Sequence, residues 1–178
     1  MFTFLLGGVR SGKSSLAVEL GRRHAAAGGT VTFVATAPRI EGDDDLDARI
    51  AAHRADRPAW PTIEAPLDVT EAIGTAGDAL VVVDCVTLWV NNLLHRGDDD
   101  DAVAAAVSAF TDTAARRAAP TVVVSNEVGL GVHPATDVGR RYRDVLGHAN
   151  RLVASGATTT LFLAAGRAVR LDDPCDLV

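Results

Sequence analysis

The first feature of the chain that could do chemistry is a run of eight residues near its start. Residues 7–14 follow the pattern Gly-x-x-x-x-Gly-Lys-Ser, in which backbone amides surround phosphate oxygens and the lysine reaches the β- and γ-phosphates. Lys13 is the only lysine of the chain, since every other side chain of the Lys and Arg class is arginine. The pattern predicts a nucleotide-binding phosphate loop that consists of Gly7, Gly8, Val9, Arg10, Ser11, Gly12, Lys13 and Ser14.

A second candidate follows from spacing alone. Arg49, His53 and Arg57 recur every four residues, so a helix over 47–57 would carry two guanidinium groups and an imidazole on one face. Like charges on one face repel each other, so this array is costly unless an anion lies against it, and one interpretation is a phosphate-facing surface with a neutral His53 as nucleophile or acid–base group. The alternative is a surface helix whose arginines pair with aspartates of the same segment.

The elements on either side of the phosphate loop suit it. The apolar run 2–6 predicts a short buried strand, and residues 14–20 predict the start of a helix. A helix N-terminus carries partial positive charge where the phosphates would lie, and the Ser14 hydroxyl is a candidate ligand of Mg²⁺.

Strand and helix patterns alternate along the rest of the chain. Strands are predicted over 30–36, 61–64, 79–84, 120–125 and 158–164, and helices over 47–57, from 67, over 86–95, up to about 117 and over 137–154. Such alternation is typical of a parallel sheet with helices on both faces. We expect an α/β fold of the P-loop NTPase type, with three layers, a mostly parallel central sheet and a single domain over 1–178.

Ligands of such sheets lie beyond the carboxyl ends of the strands, which makes Thr36, Asp84, Asn126 and Glu127 site candidates beside the loop. Asp84 ends an apolar strand as a Walker B aspartate does, and would position Mg²⁺ together with Ser14. The alternative for Asp84 is a helix N-cap, and both roles can coexist. The four aspartates at 98–101 are interpreted as solvated surface and a cap for the next helix rather than a metal site.

Composition excludes several classes of function. The net charge of −6 argues against a general nucleic-acid binder. Cys85 and Cys175 are too few and too far apart for a disulfide framework, as expected for free thiols in a reducing cytoplasm. Neither a signal peptide nor a membrane span is visible, so we expect a soluble cytoplasmic protein without membrane or nucleic-acid partners.

Seven blocks of the sequence together resemble one family. They are residues 7–14, Val-Ala-Thr-Ala at 34–37, Arg-Ile-x-x-His-Arg-x-x-Arg-Pro at 49–58, Trp-x-Thr-x-Glu-x-Pro at 60–66, Asp-Cys-Val-Thr-Leu-Trp-Val-x-Asn-Leu-Leu at 84–94, Ser-Asn-Glu-Val-Gly-x-Gly at 125–131 and Arg-Tyr-Arg-Asp-x-x-Gly-x-x-Asn at 141–150. Over nearly the full length they resemble the bifunctional adenosylcobinamide kinase/adenosylcobinamide-phosphate guanylyltransferases of cobalamin biosynthesis. The chain departs from that family at 43–46, where Asp-Asp-Asp-Leu replaces Asp-Asp-Glu-Met, and at 131–134, where Gly-Val-His-Pro replaces Gly-Ile-Val-Pro.

The resemblance implies two reactions. ATP or GTP would phosphorylate adenosylcobinamide, and GTP would then transfer GMP to adenosylcobinamide phosphate through a guanylyl group on His53. Lys13 and Asp84 would be the other catalytic residues, with Mg²⁺ as cofactor, in a homotrimer. The nucleotide-binding residues implied outside the loop are Val34, Ala35, Thr36, Arg54, Arg57, Glu64 and Asp84.

The resemblance also directs attention to residues beyond the nucleotide. Candidates for the corrinoid side or for subunit contacts are Asn126, Glu127, Arg141, Arg143, Asp144 and Asn150, and His133 is interpreted as an exposed loop residue. Trp60 and Trp89 are interpreted as core or interface residues. Two other functions stay open: a P-loop kinase for another small alcohol with a structural His53, and a non-catalytic nucleotide-dependent switch or assembly module.

Overall fold

The computed structural model describes residues 1–38, 48, 51, 54–55 and 57–177. The predicted helix over 47–57 lies mostly outside these residues, and Arg49 and His53 are outside them. The strands are β1 (Phe2–Gly7), β2 (Val31–Ala35), β3 (Thr62–Glu64), β4 (Leu80–Asp84), β5 (Thr121–Asn126), β6 (Thr159–Ala164) and β7 (Arg167–Leu171). The α-helices are α1 (Lys13–Ala26), α2 (Val69–Thr75), α3 (Val86–Arg96), α4 (Asp100–Arg116) and α5 (Asp137–Gly156), and a short 3-10 helix follows at Pro174–Leu177.

The strands form one sheet in the order β3-β2-β4-β5-β1-β6-β7. Every pairing is parallel except that of β6 with β7, which is antiparallel. The α/β fold with a mostly parallel central sheet is therefore confirmed, and it is consistent with a fold of the P-loop NTPase type. Strand β5 lies between β1, which precedes the phosphate loop, and β4, which ends in Asp84.

Helices cover both faces of the sheet because its central strands are apolar on both sides. Val81 and Val83 of β4 face a cluster that includes residues of α2, α3, α4 and α5, whereas Val82 faces a second cluster packed against α1. Trp89 of α3 is 1% exposed, and its ring meets that of Phe110 edge-on at a centroid distance of 5.3 Å. The interpretation of Trp89 as a core residue is confirmed.

Strand β7 is not predicted by the sequence patterns. All five of its residues are exposed, so it lacks the alternation of buried and exposed side chains that marks a strand. The Ala165-Gly166 pair that joins β6 to β7 has φ values of 50° and 71°, which is the left-handed conformation of tight hairpin turns. The Ala165-Gly166 dipeptide was the local feature of the sequence from which the hairpin turn could have been predicted.

The acidic turn before α4 is held by charge pairs and by a helix cap. The Asp99 carboxylate accepts a hydrogen bond from the amide of Ala102 at 2.8 Å, which confirms the predicted cap. Asp98 pairs with Arg96, and Asp100 pairs with Arg141 from α5. Within the described ranges, no helix combines the length and apolarity that a bilayer crossing requires.

Candidate active site

The phosphate loop connects β1 to α1 and curls around the Lys13 side chain. The ammonium donates hydrogen bonds to the carbonyl oxygens of Gly7 at 2.9 Å and Gly8 at 2.6 Å, and lies 3.3 Å from Ser11 Oγ. Lys13 is 6% exposed, and burial lowers its pKa, while the Asp84 carboxylate acts in the opposite direction. Gly12 caps the helix with a φ of 103°, a conformation that favours glycine.

The β6–β7 hairpin supports this loop, a contribution that the sequence analysis missed. The amide of Gly166 in the hairpin turn donates to the Ser11 carbonyl at 3.0 Å. On the neighbouring strand β6, the Leu163 carbonyl oxygen lies so close to Gly7 that a Cβ atom there would overlap it. The shape of the phosphate loop therefore depends on residues more than 150 positions further along the chain.

The other predicted strand-end residues meet the loop at the carboxyl edge of the sheet. Ala35 is in register with both Glu64 and Asp84, and Gly7 is in register with Asn126. Parallel pairing aligns the carboxyl ends of neighbouring strands, which is why residues distant in sequence converge here.

Asp84 is half-buried and lies within electrostatic range of both Lys13 and Arg57. The N-cap position of α3 belongs to Cys85, the following residue, so the alternative role of Asp84 as N-cap is not observed. Burial, followed by the charge of Asp84, raises the pKa of the Cys85 thiol to about 12, so that the thiol stays protonated at neutral pH. A protonated, buried thiol is a poor nucleophile.

The three residues predicted at the end of β2 differ in exposure. Val34 and Thr36 are both 0% exposed, and Ala35 is half-buried. Val34 belongs to the hydrophobic core, and the hydroxyl of Thr36 contacts the backbone of Cys85 at the end of β4.

Arg57 packs against the end of the sheet. Its guanidinium carbon lies 3.7 Å from the centroid of the Phe33 ring, and Nη1 donates to Thr62 Oγ1 at 3.1 Å. Its buried Nε has no hydrogen-bond partner among the described residues. The pKa of Arg57 is lowered, mainly by burial and then by the charge of Arg54, and the carboxylate of Asp84 partly opposes this shift. A cation held in this way can receive a further anion, and phosphate is a suitable one.

Arg54 and Glu64 form an ion pair at 2.6 Å, with side chains 47% and 40% exposed. Exposed pairs of this kind contribute little to stability, so a ligand can separate them at small cost. Both residues were predicted to bind nucleotide, and the structure brings them to the same edge as Arg57 and Asp84.

The segment after β5 begins at the phosphate loop, since the amide of Glu127 donates to the Gly7 carbonyl at 3.1 Å.

Of the residues considered for the corrinoid side, Asn150 is 5% exposed and its side-chain amide donates to the Asn126 carbonyl at 3.0 Å. Arg143 lies 2.7 Å from Nδ1 of His133, which is exposed as expected. Burial raises the pKa of Tyr142, beside Arg143, to about 12, and its hydroxyl donates to the Thr87 carbonyl.

A lysine-bearing loop between the first strand and the first helix, with an aspartate at the same edge, defines the chain as a P-loop nucleotide-binding α/β protein. Residues 3–171 match the family model described as cobinamide kinase / cobinamide phosphate guanyltransferase (CobU). The chain belongs to this family, whose members are enzymes with kinase and guanylyltransferase activities.

Curated relatives match over nearly their whole length. The bifunctional adenosylcobalamin biosynthesis protein CobP of Pseudomonas aeruginosa is 38% identical over 169 residues, which cover 93% of this chain and 94% of the relative. The bifunctional adenosylcobalamin biosynthesis protein CobU of Escherichia coli is 32% identical, with coverage of 96% and 99%. The protein of the same name from Salmonella typhimurium is 31% identical with the same coverage.

Proposed function

We propose that the chain phosphorylates adenosylcobinamide and then converts the product to adenosylcobinamide-GDP by guanylyl transfer through His53. The observation that carries the proposal is the arrangement around Lys13. A buried ammonium, a carboxylate at Asp84 and a guanidinium at Arg57 share one edge of the sheet in a chain of this family.

In the kinase step, the aminopropanol hydroxyl of adenosylcobinamide attacks the γ-phosphorus of ATP or GTP. A new oxygen–phosphorus bond forms and the hydroxyl proton is released to solvent, while the bond between the γ-phosphorus and the bridging oxygen breaks and the nucleoside diphosphate leaves. Catalysis of this reaction depends on positioning and on stabilising the charge of the phosphoryl oxygens. Lys13 and the amides of the loop are the groups that supply this stabilisation.

In the guanylyl step, an imidazole nitrogen of His53 attacks the α-phosphorus of GTP, and pyrophosphate leaves. A phosphate oxygen of adenosylcobinamide phosphate then attacks the same phosphorus and the nitrogen–phosphorus bond breaks, which regenerates His53. Arg57 is suited to hold a phosphate of GTP, since its buried Nε has no described partner. The exposed pair of Arg54 and Glu64 can open so that Glu64 accepts hydrogen bonds from ribose or guanine.

The donor set at the edge fits Mg²⁺. Ser14 and Asp84 would hold it through a hydroxyl and a carboxylate, both of which are the oxygen ligands that Mg²⁺ prefers alongside water and nucleotide phosphates. When bound, Mg²⁺ neutralises phosphate charge.

Family resemblance supports a homotrimer, and exposed apolar side chains supply surface for it. Leu130 and Val132, between β5 and α5, are 80% and 95% exposed, and Val138 in the first turn of α5 is 80% exposed. Such side chains are commonly covered in an assembly or by a ligand. Free Cys85 and Cys175 together with nucleotide substrates support a cytoplasmic location.

The function is tested by product analysis. Incubation with adenosylcobinamide, ATP and Mg²⁺ should yield adenosylcobinamide phosphate, and addition of GTP should convert it to adenosylcobinamide-GDP with release of pyrophosphate. Chromatography followed by mass spectrometry identifies both products. Phosphorylation of a different alcohol but not of adenosylcobinamide would favour the small-alcohol kinase. Nucleotide binding without phosphorylation of any alcohol would favour the switch module.

A further prediction concerns Asp84. Asp84→Asn preserves the shape of the side chain but removes its charge, so kinase activity should fall about 10- to 100-fold and half-saturation should require more Mg²⁺. Steady-state assays across a range of Mg²⁺ concentrations measure both effects. Asp112→Asn on α4 is the control. The Asp112 carboxylate is 64% exposed, so this substitution removes the same charge from the surface, away from the site. An unchanged Mg²⁺ requirement in Asp84→Asn would contradict the assignment.

A further inference from the structure

Thr36, the residue after β2, is bonded to the strand end that carries Asp84. Its hydroxyl donates to the Cys85 carbonyl at 2.8 Å and accepts from the Cys85 amide at 2.7 Å. Its own amide lies 3.3 Å from the Asp84 carbonyl oxygen, to which it donates. Three hydrogen bonds thus join Thr36 to the backbone on the carboxyl side of Asp84.

These bonds extend the pairing of β2 with β4 beyond its last regular step. The parallel ladder ends where Ala35 is in register with Asp84, and Cys85 follows with a backbone that is buried along with its side chain, 9% exposed. Buried amide and carbonyl groups need partners. The Thr36 hydroxyl accepts from the Cys85 amide and donates to the Cys85 carbonyl, which also accepts from the Trp89 amide at 3.2 Å. A valine side chain of the same shape can neither donate nor accept, and would leave the Cys85 amide without this partner.

Thr36 also accepts a hydrogen bond at its carbonyl oxygen from Asn92 of α3. The Asn92 side-chain amide donates to the Thr36 carbonyl at 2.8 Å and to the Pro66 carbonyl at 2.9 Å. Asn92 is 8% exposed, so these bonds are shielded from water. The strand end is therefore connected through Thr36 to α3 and to the segment after β3.

We propose that Thr36 is a positioning residue for Asp84: it fixes the backbone from which the carboxylate projects, and it acts on the reaction through that carboxylate. The inference rests on the proposed function, in which Asp84 acts at the metal and phosphates. It gives the threonine of the Val-Ala-Thr-Ala segment a role that differs from direct nucleotide contact, because its hydroxyl donates its only proton to Cys85 and the residue is 0% exposed.

Two substitutions of Thr36 and one matched control test the proposal. Thr36→Val removes the hydroxyl and keeps the shape, and Thr36→Ser keeps the hydroxyl. Thr121→Val is the control, because Thr121 is also 0% exposed, its hydroxyl has no hydrogen-bond partner among the described residues, and it lies at the amino end of β5. Thermal unfolding confirms that each variant is folded.

Kinase assays with adenosylcobinamide separate positioning from binding. Thr36→Val should lower kcat about 10- to 100-fold, the scale expected for a misplaced catalytic group, with KM for ATP changed by less than about threefold. Thr36→Ser should restore kcat to within about threefold of the wild type, and Thr121→Val should match the wild type. A normal kcat in Thr36→Val, or an equal loss in Thr36→Ser, would overturn the proposal.

A second readout does not require turnover. Mn²⁺ binding in the presence of a non-hydrolysable ATP analogue, followed by electron paramagnetic resonance, should weaken about tenfold in Thr36→Val and in Asp84→Asn but not in Thr121→Val. If the wild type binds Mn²⁺ but does not phosphorylate adenosylcobinamide, the proposed function fails and Mn²⁺ binding alone decides the role of Thr36. If Thr36→Val binds Mn²⁺ as the wild type does, the positioning role is wrong.

Asn92→Ala covers the case in which Thr36→Val does not fold. It removes the bond to the Thr36 carbonyl, together with the bond to Pro66, and leaves the Thr36 hydroxyl in place, so a smaller change in the same direction is expected for kcat and for Mn²⁺ binding. Wild-type values of both quantities in a folded Asn92→Ala would overturn the proposal.

Discussion

Replacement of His53 by alanine should abolish guanylyl transfer while phosphorylation of adenosylcobinamide persists at least in part. The two reactions share the phosphate loop, but in our proposal only the second passes through a nitrogen–phosphorus bond. A methyl group cannot form that bond, so no residual pathway through residue 53 exists. This is the largest effect expected for any single substitution in the chain.

The intermediate can be detected directly. Incubation of the wild type with GTP and Mg²⁺ should add one GMP to the peptide that contains His53 and release pyrophosphate. The adduct should be labile to acid, as phosphoramidates are, and should be absent from His53→Ala. Peptide mass spectrometry before and after acid treatment measures both properties.

His148→Ala is the matched control for this experiment. It removes an imidazole from an exposed position on α5, so adduct formation and both activities should stay at wild-type levels. If the wild type transfers GMP without an acid-labile intermediate, or if His53→Ala transfers GMP normally, the nucleophile assignment is wrong. His53 would then not be required for the chemistry.

Lys13→Ala should depress both activities about 10- to 100-fold, because loss of a charged donor to phosphate costs about 1.5–3 kcal/mol in the transition state. The Lys13 ammonium already lies within the loop, bonded to the carbonyls of Gly7 and Gly8, so it has only to exchange these partners for phosphate oxygens. Steady-state kinetics of the kinase step and rates of adduct formation measure the two losses separately.

Shape should matter as well as charge at this position. Lys13→Arg keeps the charge but should not restore activity, since a planar guanidinium does not fit where an ammonium is 6% exposed among loop carbonyls. Arg23→Ala is the control for loss of one positive charge on the same helix, because Arg23 is 73% exposed and pairs with Glu19 at the surface. Normal phosphorylation of adenosylcobinamide by Lys13→Ala would place the kinase site elsewhere.

The site was predictable as far as its residues lie at strand ends. The loop of residues 7–14 was found from its sequence pattern, and Asp84 and Thr36 from the rule that parallel strands present ligands at their carboxyl ends; the structure brings them to one edge. The functions of individual side chains could not be predicted as well from the sequence. Thr36 was predicted beside the nucleotide, but its hydroxyl bonds to Cys85, 49 residues away, and no local pattern encodes that partner.

Arg57 illustrates the same limit from another direction. Its spacing from His53 indicated a cationic helix face, whereas in the structure its guanidinium lies over the ring of Phe33 and bonds to Thr62. Phe33 belongs to β2 and Thr62 to β3. Helical spacing predicts which side chains share a face, but it does not predict what that face contacts.

The sequence by itself determined the class of fold, the phosphate loop and the order of the described helices and strands up to β6, because these depend on interactions between near neighbours: apolar periodicity, glycine at left-handed positions and helix caps. Only the tertiary structure decided the strand order, the support of the loop by the β6–β7 hairpin, and the bonds that hold the Asp84 strand end. Those features arise when segments far apart in sequence satisfy each other's buried polar groups, and the choice of partner is made by packing of the whole chain.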